Sequence, residues 1–188
     1  MVENQQKDLD QCLFNEYLDL SNEQQVNILF GQYQLMVNST ENVVSRRQRM
    51  HTFFFSINSL LIGALGTILG TKFEVFVANK IVLVVALCVV GGVIAWSWRQ
   101  LLISYQKLNS GKFKVINKIE EKLPSAIFNA EWHILGEGND SKRYNPFTKL
   151  EHYVPLIFLL LYCTFFLELV IGLDSIITSF SSMIKSVF

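Results

Sequence analysis

The chain is short of the residues that would give it a chemical identity. Its 188 residues include three cysteines, Cys12, Cys88 and Cys163, and no two are spaced for a disulfide framework or a zinc site. No H-E-x-x-H, no phosphate loop ending in Lys-Ser/Thr and no G-x-S-x-G occurs. Their absence removes the plainest routes to a zinc hydrolase, a nucleotide enzyme and a serine hydrolase. Glu131-x-His133 and Glu151-His152 supply ligand-type side chains, but adjacent residues do not share a helix face. The pair of glycines in Gly136-Glu137-Gly138 stands without the strand or the lysine that nucleotide binding requires. Glu3, Asp8, Asp10, Glu16 and Asp19 interrupt any apolar core of a signal peptide in the first twenty residues. Charge of one sign is missing too: 16 basic and 16 acidic residues cancel. Lysines alternate with Glu120 and Glu121, a poor electrostatic fit to nucleic acid. The expectation is a protein without an enzyme activity, a cofactor, a bound metal or a nucleic-acid partner.

What is present is apolar length. Residues 50–70 contain no Asp, Glu, Lys or Arg, and about twenty residues at 1.5 Å each cross a hydrocarbon core of about 30 Å. Residues 81–103 and 154–173 make a second and a third such segment, with Pro155 in the first turn of the third, where a missing N–H is tolerated. The short connection at 71–80 forces the first two into a hairpin. Gly66 and Gly70 form a G-x-x-x-G step, and Gly91-Gly92 sits near the centre of the second span. The first predicts close helix packing, and the second a close helix contact or a bend. Three polar positions carry a competing reading as the lining of a pore: Asn58 inside the first span, Glu168 inside the third or at its far interface, and Asp174 at its end. Trp96 and Trp98 suit the headgroup zone.

Basic residues set the orientation. Arg46, Arg47 and Arg49 precede the first span; Arg99 stands near the end of the second, and Lys107, Lys112 and Lys114 follow it. The positive-inside rule then places residues 1–49 and 104–152 in the cytoplasm and the tail, 174–188, outside. A re-entrant third segment would instead keep the tail inside. The same cations offer contacts to anionic headgroups, or form a solvated face that only fixes topology. Residues 7–20 and a second stretch from Asn22, with Val26, Leu29, Phe30, Tyr33 and Val37 on one face, read as amphipathic helices. Ser21 or Asn22 caps the second. A long helix leaves the membrane after Trp98 and ends before Pro124, with Asn109-Ser110-Gly111 as its weakest point. The fold class predicted is an all-α membrane protein of three transmembrane helices with N-terminal and central cytoplasmic helices.

The run Trp98, Ser104-Tyr105-x-x-Leu108-Asn109-Ser110-x-Lys112-Phe113-x-Val115-Ile116, then Ile119-Glu120-x-x-Leu123-Pro124, resembles the RipA family of bacterial membrane proteins. Glu131-Trp132-x-x-Leu135-Gly136-x-Gly138 and Tyr144-x-Pro146-Phe147-Thr148-x-x-Glu151 look like the rest of its signature, and the resemblance covers about residues 30–160. It implies a homo-oligomer, described as octameric, in the bacterial cytoplasmic membrane, with a link to growth inside host cells and no enzymatic activity. On that basis the chain is expected to act as a membrane scaffold, in contact with itself and with lipid. The alternative is a channel with an axial path. Trp98, Tyr105, Phe113, Trp132 and Phe147, with Gly66, Gly70, Gly91 and Gly92, are the expected packing and oligomer contacts. Aromatic anchors dominate such contacts, so Trp132→Ala is expected to lower the mass of the assembly in mild detergent, and an unchanged mass on light scattering counts against it.

Overall fold

A computed structural model describes residues 11–14, 18–70, 77–138, 144 and 150–187, with backbone alone for 77–79 and 173–187. Four helices carry the described residues: α1 (Glu23–Gly70), α2 (Val77–Glu120), α3 (Ile127–Ile134) and α4 (Tyr153–Val187). A short 3-10 turn, Gly136–Gly138, follows α3. No strand occurs among the described residues. Three helices are long and apolar enough to cross a membrane: Glu23–Gly70, Lys80–Glu120 and Tyr153–Gly172. The chain divides into two compact units, one of Met1–Gln48 and Ser104–Lys149, the other of Arg49–Ile103 and Leu150–Phe188.

Two of the helices run unbroken through polar stretches. Asn38–Asn42 does not weaken α1, and Asn109-Ser110-Gly111 does not break α2. Polar and glycine residues inside a helix each cost only about 1 kcal/mol or less, which neighbouring turns of good helix formers offset. At the start of α1 the Asn22 side chain accepts the Gln24 N–H at 2.9 Å, and Gln25 reaches back to the Asp19 N–H at 2.7 Å. Asn22, rather than Ser21, is therefore the cap. Ser21 instead donates its hydroxyl and its amide to Asp19, at 2.6 and 2.9 Å, and holds that carboxyl below the usual carboxylate range. Helix α4 runs on past the expected end of the third span, so the backbone of the tail to Val187 is part of one helix.

The apolar unit is a three-helix core around Trp98. Leu65, Val84, Cys88, Ala95, Trp98, Leu102, Phe158 and Tyr162 are its buried members. Trp98 is fully enclosed, stacked on Phe54 at 6.0 Å, with His51 against it at 5.0 Å and Phe158 at 6.0 Å. A ring from each of the other two spans covers it. Trp96, one turn-face away, is the exposed ring, and Arg99 lies 5.7 Å over it.

One polar contact crosses this core. Asn58 is fully buried; its Nδ2 donates to the Phe54 carbonyl at 2.8 Å, and its Oδ1 accepts the Tyr162 hydroxyl at 3.0 Å. Tyr162 can reach it because the ring lies over Gly91, where a Cβ would collide with it. The first span contributes the amide, the third the hydroxyl and the second the absence of a side chain. Asn58 is thus enclosed within the protomer and does not line an open path. Gly91 meets the expectation of close packing. Gly66, Gly70 and Gly92 do not within this chain, for nothing lies within 4 Å of where their Cβ would stand.

Overpacking such a contact typically costs about 1–3 kcal/mol, and an interhelical hydrogen bond in a membrane contributes about 0.6–2 kcal/mol. Gly91→Ala is expected to destabilise the apolar unit by the first amount and Tyr162→Phe by the second, read as shifts in the unfolding midpoint in mixed detergent micelles. Equal stability of wild type and Gly91→Ala would show that the ring has room to move.

Candidate functional site

The other unit has a small core of Leu29, Tyr33, Ile116 and Ile119, against which Met36, Val37, Phe113, Val115, Leu123 and Phe128 pack. A carboxylate sits in it. Glu120 is the last residue of α2 and follows Ile116 by one helical turn, so its side chain shares the apolar face. It is 1% exposed. Burying a carboxylate is expensive without hydrogen-bond donors, and Glu120 has three. Its Oε1 accepts the Tyr33 hydroxyl at 2.8 Å and the Phe128 N–H at 3.0 Å; its Oε2 accepts the Asn129 N–H at 3.1 Å.

Those two amides belong to the first turn of α3, whose own N-cap residue, Ala126, makes no side-chain cap. Glu120 supplies the cap from a different helix, across the turn at Glu121–Pro124, where a negative group also meets the positive end of the helix dipole. Tyr33 brings α1 into the same clamp, and burial, with Glu120 beside it, pushes its hydroxyl up to about 12. Phe128 turns inward against Phe113 at 5.8 Å and Tyr33 at 6.4 Å. The arrangement fixes where α3 sits. It holds no nucleophile beside a base, and what it can do is position a surface.

The residues expected to matter separate into two groups. Phe113 packs inside the clamp's core, and Tyr105 is half-buried. Trp132 is 43% exposed; one edge of its ring lies against Tyr144 at 6.5 Å, and its Cη2 stands 3.2 Å from where a Cβ on Gly138 would be. With φ at +74°, Gly138 is also a backbone position that favours glycine. Lys112, expected at headgroups, donates to the Ser39 hydroxyl at 2.7 Å and ties α2 to α1. Arg46, Arg49, Lys107 and Lys114 are exposed, while Arg47 and Arg99 are half-buried. Glu168 is exposed on α4. The Phe147 side chain and that of Asp174 lie outside the described residues. His133 and Glu137, exposed, bond to each other at 3.2 Å across one turn. Sequence reasoning passed over Glu120, Tyr33 and Tyr162 as site residues. For Glu120 the signal was present: a charge in register with Ile116 and Leu123, on the apolar face.

The exposed faces of the spans differ in kind. On α2 the outward residues are Val82, Leu83, Val89, Val90 and Val93, a surface made for lipid. On α1 an open groove of about 590 Å³ runs along Ser56, Ser59, Gly63 and Thr67. Residues 30–171 match the octameric membrane protein family. The chain belongs to that family. No curated protein and no solved structure matches the chain. The matched region begins just before Tyr33 and ends just after Glu168, so it contains the Glu120 clamp, the Asn58–Tyr162 bond and the groove on α1. An oligomeric membrane protein of this family has to present faces to its own copies, and the uncovered surfaces are where they must be sought.

Two measurements probe the clamp. Removing a buried acceptor from donors that then go unpaired costs about 1–3 kcal/mol, so Glu120→Ala is expected to raise amide exchange at residues 127–134 well above the rest of the same unit. No change there would mean the cap is dispensable. Tyr33 has a raised pKa, from 10.0 to about 12, so the folded state holds its proton more tightly than the unfolded chain. Its contribution is complete below pH 10 and falls as the pH rises toward 12. Tyr33→Phe should lose less stability than wild type over that interval.

Proposed function

We propose that the protein is a homo-octameric, non-enzymatic scaffold of the bacterial cytoplasmic membrane. The observation that carries this is the outward face of α1 in the membrane. Thr52, Ser56, Ser59, Gly63, Gly66, Thr67 and Gly70 are all on that side, and a Cβ added at any of the three glycines would meet nothing within the chain. Lipid gains nothing from small residues, whereas a second helix gains close approach and hydroxyl contacts. The contrast with the valine and leucine face of α2 is the contrast between a protein-facing and a lipid-facing helix. Exposed Arg46, Arg49, Lys107 and Lys114 bind anionic headgroups in this reading, each contributing about 1 kcal/mol near such a surface. A stable assembly anchored this way serves membrane homeostasis, and through it growth inside a host.

An axial path is the second reading, and Glu168 favours it. The contacts Asn58–Tyr162 and Phe55–Phe158 set α1 and α4 parallel and in register, which brings Glu168 level with Ala64 and Leu65. A carboxylate at that depth on an outward face is costly in hydrocarbon; water along a ring axis would relieve it.

Gly63→Leu is expected to reduce the mass of the assembly in mild detergent, while Val90→Phe on the lipid face leaves it unchanged. A full-mass Gly63→Leu assembly overturns the scaffold's packing face. Conductance in planar bilayers that is abolished or altered in selectivity by Glu168→Gln would favour the channel over the scaffold.

A further inference from the structure

The clamp around Glu120 holds α3 so that one face of it is exposed among the described residues. Phe128 points inward, but Ile127 and Ile134 are 63% and 72% exposed, and Ala130 between them is exposed as well. Their spacing of three and four residues makes a single apolar ridge. Glu131, also exposed, stands within the same stripe. The same unit carries a hollow of about 340 Å³ lined by Leu13, Phe14, Leu18 and Ile28, with Gln25 and Gln32 among them. At its rim the Lys122 ammonium lies 5.7 Å over the Phe14 ring. One surface is exposed and mostly apolar with an anion in it, and the other is a partly apolar hollow with a cation at its edge.

Symmetry says what such a pair is for, given the oligomer read above, on which this inference rests. Basic residues orient every copy the same way across the bilayer. A two-fold axis in the membrane plane would invert half of the copies, so only an axis along the membrane normal remains. Copies around such an axis meet through two different patches, in a heterologous contact that closes as a ring. We propose that the Ile127–Ala130–Ile134 ridge of one copy seats in the Phe14–Ile28 hollow of the next, with Glu131 paired to the neighbour's Lys122.

Charge reversal tests the pairing in the full chain, by light scattering in mild detergent. Like charges brought together across an interface cost several kcal/mol, so Glu131→Lys and Lys122→Glu should each lower the octamer-to-monomer ratio by about tenfold or more. The double reversal should restore it. An octameric wild type whose single reversals change nothing, or whose double reversal restores nothing, overturns this contact and leaves the oligomer standing. A monomeric wild type removes the oligomer itself. A second measurement does not depend on how the charge variants fold. With the three native cysteines replaced by alanine, an Ile134→Cys chain and a differently tagged Ile28→Cys chain are co-expressed and oxidised. A disulfide joining the two tags is expected, and its absence overturns the contact.

Discussion

Inside a bilayer an unmatched polar atom has no water to turn to, and the apolar unit is arranged around satisfying one. The Asn58 amide has partners on its own helix and on the third span, and both its carbonyl and the Tyr162 hydroxyl are served by one bond. That bond needs Gly91 to be bare. Each span contributes something the other two cannot supply, so no pair of them has the same solution. The surrounding apolar contacts, Trp98 with Phe54 and Phe158 above all, would tolerate many arrangements; the polar bond selects one.

The other unit reaches uniqueness by a similar device. Glu120 is enclosed and answers to Tyr33 on α1 and to two amides of α3. Since α3 buries none of its own residues fully, packing alone would hold it weakly, and the carboxylate at its N-terminus fixes its position. Positioning is the common thread in both units. Neither polar centre brings together groups that could turn over a substrate, and each makes an uncovered surface hold a defined place: the small-residue face of α1 and the isoleucine ridge of α3.

Length and polarity were enough to read the three spans, because hydrocarbon thickness leaves so little choice. The same was true of Pro155 in a first turn and of close packing at Gly91. The burial of Trp98 was not legible because a tryptophan near the end of a span can face lipid or pack inward, and only the rings of Phe54, His51 and Phe158 decide between them. Asn58 looked like a pore residue for a related reason: a polar residue in a span predicts a partner without saying where it is, and Tyr162 lies 104 positions further on. The G-x-x-x-G step at Gly66 and Gly70 predicted close approach, and no helix among the described residues of this chain makes it. Glu120 was legible as a charge on an apolar face; its donors, separated from it by a turn and by another helix, were not.

The order of the chain gives the Asn58–Tyr162 bond a consequence in time. Both segments of the Glu120 unit, Met1–Gln48 and Ser104–Lys149, precede the third span in sequence. During synthesis the first two spans are therefore made with the Asn58 carbonyl oxygen still waiting for Tyr162, while every residue of the Glu120 unit is already made. Domains tend to fold as units in the order they are synthesised. The Glu120 unit can close first, and the membrane core is complete only when Tyr162 arrives to meet the Asn58 carbonyl oxygen.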